Sequence, residues 1–319
     1  MMTQNLSILV TSILTMKKAF LIAGSIIFIL TSCESDKINP ETDPDPDPVI
    51  IKKDSLVPET IIGIGKDLFY RYSDIELYDS TTHILYFKVI HPEFDKNDQS
   101  WFTFFVNKDS IYQGDFLPSF LSSWPTRPYV STWPFWLQNF ALLIENKYNV
   151  KPDMRNDPRI IKALKDHDLL HSGLVISSNV IECDTSQVTY SFTLTNKDNT
   201  TLLFLDPEKM GLNLFHYYTN GLYFRKLPWI TSVVNVKIPS QAPSPFNIWK
   251  KEWLSAIKPE ESKTFVIDYP ISSPFSAGEY DVSFVFPGLS FQVSRDDLIQ
   301  ENGRIWLGDI ITRTNIVIK

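Results

Sequence analysis

Cysteine is nearly missing from this sequence: Cys33 and Cys183 are the two in 319 residues. Two thiols cannot build a disulfide framework or a multi-thiolate zinc or iron–sulfur site. Glycine is scarce, at 11 against 21 prolines, which disfavours glycine-rich folds that cradle phosphates. Gly63-Ile64-Gly65-Lys66 is only a fragment of a phosphate loop and lacks its full spacing. Basic excess is lacking as well. The chain carries 30 Lys+Arg against 37 Asp+Glu, a net charge of −7. That excludes the basic surface on which nucleic-acid affinity rests. No Gly-x-Ser-x-Gly elbow occurs, and no two carboxylates form a recognisable acid/base pair in sequence. The remaining composition, 43% hydrophobic and 21% charged, is that of a globular protein. Its length suits one large domain or two of ordinary size.

The most specific signal lies between Met16 and Cys33. Lys17 and Lys18 precede an apolar run of 12 residues, Ala19 to Leu30, broken only by Gly24 and Ser25. A permanent transmembrane helix needs about 20 apolar residues, so the run fits a secretory h-region instead. Met16-Lys17-Lys18 reads as the start of the signal, with Met1 upstream of it. The Leu30-Thr31-Ser32-Cys33 end resembles the bacterial lipobox. The resemblance implies cleavage before Cys33 and a diacylglycerol on its thiol. Residues 1–32 would then be signal peptide, and their loss leaves 28 bases, 37 acids and a net charge of −9. The acyl chains would be the sole anchor, each buried methylene contributing about 0.8 kcal/mol.

Residues 33–60 follow as a tether. Asp43-Pro44-Asp45-Pro46-Asp47-Pro48 cannot be helical, because each proline removes a donor and restricts its predecessor. It reads as an extended, self-repelling linker. Acidic residues directly after Cys33, beginning with Glu34 and Asp36, resemble the export signal of Bacteroidetes surface lipoproteins. That resemblance implies the cell outer membrane, facing outward. Asp54-Ser55-Leu56, Asp79-Ser80-Thr81 and Asp109-Ser110-Ile111 resemble, loosely, the glycosylation sites of such envelope proteins.

Residues 61–173 read as an α+β domain. Asp74–Tyr78 with His83–Ile90, and Trp101–Val106 with Ser110–Tyr112, are hairpin candidates. Residues 137–148 read as helix. A second helix begins with Asp157 as N-cap and Pro158 at its first position, runs through Ile160, Ile161, Leu164, Leu169 and Leu170, and stops at Gly173. Residues 174–319 read as a β-sandwich. Val188–Thr195 alternates at period two. Leu212–Thr219 and Leu222–Lys226 flank Asn220-Gly221, a hairpin signal. Tyr190, Phe192, Leu194, Phe265, Ile267, Val282, Phe284 and Phe286 are the expected core, with Thr189, Thr193, Asp268 and Asp281 facing water.

Pro259-Glu260-Glu261-Ser262 before one strand, and Ala277-Gly278-Glu279-Tyr280 opening the next, resemble the late part of an immunoglobulin-like domain of the proteinase-inhibitor type. The resemblance implies that Tyr280 bonds backbone near the turn, as a corner tyrosine does. Cys183 has no partner for an intersheet disulfide and reads as a small hydrophobe.

Among candidate sites, His167 and His171 sit i,i+4 on the expected helix, but without a third ligand they read as capping or surface residues. The aromatic loop holds Trp124, Tyr129, Trp133, Phe135 and Trp136 within 13 residues. Exposed, these rings could stack on sugars; packed, they belong to the core. The sequence therefore reads as a non-catalytic binding or scaffold module on a lipid anchor, with no cofactor and no metal. The other readings are a glycan-binding lipoprotein using residues 124–136, a proteinase inhibitor, or an enzyme whose site carries no motif. The partners implied are the membrane and a glycan or protein at the cell surface.

Overall fold

The computed structural model describes residues 57–91, 101–118, 125–132, 139–146, 151–183, 187–219, 222–227, 233–236, 240–244, 248–271, 275–289 and 293–319. The signal segment, Cys33 and the Asp/Pro tether lie outside them. By its contacts, Ile51–Lys319 forms one compact unit. It is mostly β.

The first half builds a nine-stranded sheet. Its strands are β1 (Thr60–Ile64), β2 (Leu68–Arg71), β3 (Ile75–Asp79), β4 (Ile84–Phe87), β5 (Trp101–Val106), β6 (Asp109–Pro118), β7 (Tyr129–Thr132), β8 (Ala141–Glu145) and β9 (Leu170–His171). Their order is β2-β1-β5-β6-β7-β8-β4-β3-β9. The pairs β6–β7 and β3–β9 are parallel and the rest antiparallel. Both expected hairpins are present. Asn107 and Lys108 join β5 to β6 with φ of 51° and 72°, the double positive φ of a two-residue turn whose twist suits its strands.

Two expectations for this half need correction. Residues 141–145 form β8, not a helix. Ala141, Leu142 and Ile144 are all buried, and a short run buried on both faces shows no period to separate strand from helix. The helix after Asp157 is also shorter than expected. Helix α1 spans Pro158–Asp166, with Asp157 capping the Arg159 amide. His167 ends it, Asp168 takes φ 55°, and Leu169 leads into β9. Ile160 and Leu164 bury its apolar stripe against the sheet, in one core with Phe102, Phe104 and Ile144.

The second half contributes three sheets. Strands β10 (Leu174–Cys183), β11 (Gln187–Asn196) and β16 (Ser262–Pro270) form the first. The second has the order β15-β12-β19-β18, from β12 (Leu202–Leu205), β15 (Leu254–Ile257), β18 (Ile299–Gln300) and β19 (Gly303–Ile305). The third is β14-β13-β17-β20, from β13 (Leu222–Lys226), β14 (Val233–Val236), β17 (Gly278–Phe286) and β20 (Ile310–Ile318). Tyr190 on β11 meets Phe284 on β17 with ring centroids 4.8 Å apart, and Phe192 meets Phe286 at 5.8 Å. These contacts join the first and third sheets through one core. All eight expected core residues are buried there. Thr189 bonds Asp268 across the outer face, and Thr193 bonds Thr264. Tyr280 donates from Oη to the Ser276 carbonyl at 2.8 Å, the backbone bond expected of it.

Leu212–Thr219 is a helix, α3, not a strand; it follows the short α2 (Pro207–Met210). Phe215, His216 and Thr219 are its buried face, spaced for a helix despite the high strand propensity of its aromatics.

Two predictions follow from this packing. Phe284 is 1% exposed, and Phe284→Asp would bury an unpaired charge. We expect a loss of more than about 4 kcal/mol, read as a collapse of the urea midpoint. His83 accepts the second test. Its Nδ1 lies 2.7 Å from Tyr78 Oη, and burial pulls its pKa down to about 4. The unfolded imidazole binds its proton near pH 6.5, so the folded state loses about 3 kcal/mol as pH falls from 6.5 to 4. His83 has φ 58°, which asparagine tolerates. His83→Asn is expected to flatten the pH dependence of the urea midpoint between pH 6.5 and 5.

Candidate functional site

The register of one parallel pair generates the site. β9 lies beside β3 with His171 opposite Asp79. The backbone amide and hydroxyl of Ser80 both bond the His171 carbonyl, each at 2.9 Å. From β9 the chain passes Gly173, whose amide donates to Thr81 Oγ1 at 2.8 Å. A Cβ on Gly173 would stand 2.6 Å from Asp79 Oδ2 and 3.0 Å from Trp306 Nε1. Glycine is needed there for close approach and not, as the sequence suggested, to stop a helix.

At the end of β11, Asn196 accepts the Asp198 amide and donates to the Thr200 and Ile257 carbonyls. This holds Asp198 facing inward. Its Oδ1 lies 2.8 Å from His171 Nδ1, and its Oδ2 accepts Arg304 NH2 at 2.8 Å and Thr200 Oγ1 at 2.9 Å. Burial pushes the Asp198 carboxyl up, but His171 and Arg304 outweigh it and hold it at about 2. An ionised carboxylate only accepts, so His171 Nδ1 carries the proton of this bond.

Arg304 is 4% exposed. Its guanidinium sits 5.5 Å from the Tyr86 ring centre. Burial lowers its pKa, but the surrounding Tyr86, Asp79 and Asp198 raise it further. Asp79 is fully buried and accepts the Thr81 and Thr82 amides. Burial raises its pKa, with Arg304 opposing.

A cleft of about 550 Å³ opens over this network. It is lined by Glu76, Leu77, His171, Thr200, Thr201 and the hairpin β18–β19. Two residues, Glu301 and Asn302, make the hairpin turn, since Gln300 pairs with Gly303. Gly303 has φ 148°, and a Cβ there would meet the Thr201 carbonyl at 2.6 Å. Glycine therefore lets the hairpin dock.

Of the sequence candidates that the structure describes, His171 lies at this cleft, while Tyr129, His167 and Cys183 are not in its lining. Cys33, Trp124, Trp133, Phe135 and Trp136 lie outside the described residues. Tyr129 is 6% exposed on β7, so its ring is packed within the protein. His167 stacks on Tyr72 at 3.9 Å, and His171 is on a different element. The two do not share a helix face. Cys183 is half-buried at the end of β10. Among the described residues, no group of three or more His, Cys, Asp or Glu could hold a metal ion. No helix among them is long and apolar enough to cross a membrane.

No protein-family model matches the chain, and no curated protein matches it. Among solved structures it is similar to β-glucosidase from Kluyveromyces marxianus in complex with glucose, at 16% identity and a TM-score of 0.19. The match covers 46% of this chain and 14% of that one. A selenomethionine-labelled form of the same enzyme matches over the same shares at 14% identity and a TM-score of 0.19. A likeness this slight carries no argument about fold or activity.

The ion-pair network makes its own prediction. Asp198→Asn leaves Arg304 buried without its counter-charge, at a cost of about 3–5 kcal/mol. The folded carboxyl titrates below its unfolded value. Its contribution is therefore complete above about pH 4 and lost as pH falls toward 2. Urea titrations of both forms should accordingly converge at acid pH.

Proposed function

We propose that the chain is a lipid-anchored cell-envelope protein, held at the outer membrane through Cys33 and facing outward, that acts as a non-catalytic binding or scaffold module. The observation that carries this is the order Lys17-Lys18, apolar run, Leu30-Thr31-Ser32-Cys33, then an acidic, proline-spaced tether. Each part has a physical reason: export, lipid attachment, and an extended spacer that holds a folded module off the surface. The kind of envelope lipoprotein it most resembles is that of Bacteroidetes.

The same reading makes residues 61–173 an α+β unit and residues 174–319 an immunoglobulin-like sandwich. Supporting the second are the corner bond of Tyr280 to the Ser276 carbonyl and the aromatic core joining β11 to β17. The binding role is supported by the cleft over Asp198, which is concave, polar-lined and set on regular structure.

Cys33→Ser should move the protein from the membrane fraction to the soluble fraction. Protease added to intact cells should degrade the wild-type protein. Unchanged fractionation of the variant would overturn the anchor, and full protection from protease would overturn outward display.

A further inference from the structure

Two buried side chains meet beside Gly173 with polar atoms that nothing else in the described protein satisfies. Asp79 is fully buried. Its Oδ1 accepts the Thr81 amide at 2.9 Å and the Thr82 amide at 3.3 Å, but its Oδ2 has no protein partner. The Thr82 hydroxyl lies near this carboxyl and acts to lower its pKa, yet Oγ1 makes no hydrogen bond in good geometry. Trp306 is 1% exposed, and its indole Nε1–H has no protein partner either. Asp79 Oδ2 and Trp306 Nε1 border one small region, because a Cβ on Gly173 would stand 2.6 Å from the first and 3.0 Å from the second.

A buried polar atom left alone forfeits the hydrogen bond it made to water in the unfolded chain. Folded proteins leave few atoms in that state, and ordered water supplies the partner where side chains and backbone do not. Both residues here are held in place by other bonds. Asp79 is fixed by the two amides of the turn after β3, and the Trp306 amide donates to the Leu203 carbonyl at 2.9 Å. Whatever lies between them must accept from the indole, which only donates. It must also suit Asp79, whose Oδ2 accepts when ionised and can donate when protonated. Water does both and serves either state. A metal ion cannot accept from the indole. An anion would repel an ionised Asp79, and the charge of Arg304 is already paired with Asp198.

We infer that this junction binds an ordered water molecule, which accepts from Trp306 Nε1–H and bonds Asp79 Oδ2. The water ties the end of β3, in the nine-stranded sheet, to the segment that follows β19. Glycine at 173 leaves the approach to both atoms open. The site is internal, and it stands or falls separately from the anchor at Cys33 and from any ligand in the cleft.

The test is a crystal structure of the full chain, grown once with chloride and once with bromide, together with oxygen-17 relaxation dispersion in solution. Expected in both crystals is a density peak about 2.5–3.2 Å from Asp79 Oδ2 and from Trp306 Nε1, with no anomalous signal in bromide. In solution the wild-type protein should hold about one more long-lived water than Trp306→Phe. The wild-type crystals decide the point even where Trp306→Phe does not fold. A direct bond between Trp306 Nε1 and Asp79, no peak between them, or an anomalous bromide peak there would overturn the inference. Equal numbers of long-lived waters in the two folded proteins would overturn it as well.

Discussion

One buried carboxylate organises the junction of this protein. Asp198 lies at the end of β11, yet it holds His171 from the nine-stranded sheet and Arg304 from the hairpin beside β12. Burying a guanidinium and a carboxylate costs several kcal/mol per ion, and their attraction does little more than offset that cost. The pair is therefore not a large source of net stability. What it does is penalise every arrangement in which the three elements are out of place, since each leaves a charge buried alone. Asp79 adds to this constraint. It is fully buried and feels the Arg304 charge, which opposes the rise that burial imposes on its carboxyl.

The parts of this fold legible in the sequence are those governed by local rules. Period-two alternation marks β11, β16 and β17, because each has one face in the core and the other in water. Asp157-Pro158 marks the start of α1, because capping needs only neighbours. The missed elements are those whose identity depends on distant partners. β8 is defined by pairing with β4 and β7. β9 has two residues and exists only because β3 lies beside it. The apolar spacing of Leu169 and Leu170 continued the helical pattern, and nothing local announced the left-handed turn at Asp168.

The candidate site was illegible for a related reason. Glu76, His171, the Asp198–Thr200 turn and Arg304 are far apart in the chain and obey no spacing. One signal was available. Arg304 stands within Gly303-Arg304-Ile305-Trp306-Leu307, where the three residues after it are buried hydrophobics. A charged residue in such a run must either leave the core or find a counter-charge within it. Asn196-Lys197-Asp198-Asn199 is turn material by composition, but nothing local announces that its Asn196 and Asp198 side chains close the turn and bind that arginine.

The same network bears on how the cleft would recognise anything. Glu301 is at a loop tip, but the loop is two residues long and its strands are fixed by backbone bonds. The Arg304 amide donates to the Thr201 carbonyl, the Ile305 amide to Leu298, and the Trp306 amide to Leu203. The opposite wall is held by Asp198 and by the parallel pairing of β9. A ligand entering between them has little backbone to order, so the entropic cost of association falls mainly on the ligand and a few exposed side chains. Selectivity then rests on which donors and acceptors the internal bonds leave over. Donors consumed inside the walls cannot be offered outside them, so the bonding that stabilises the junction also sets the polarity of the surface above it.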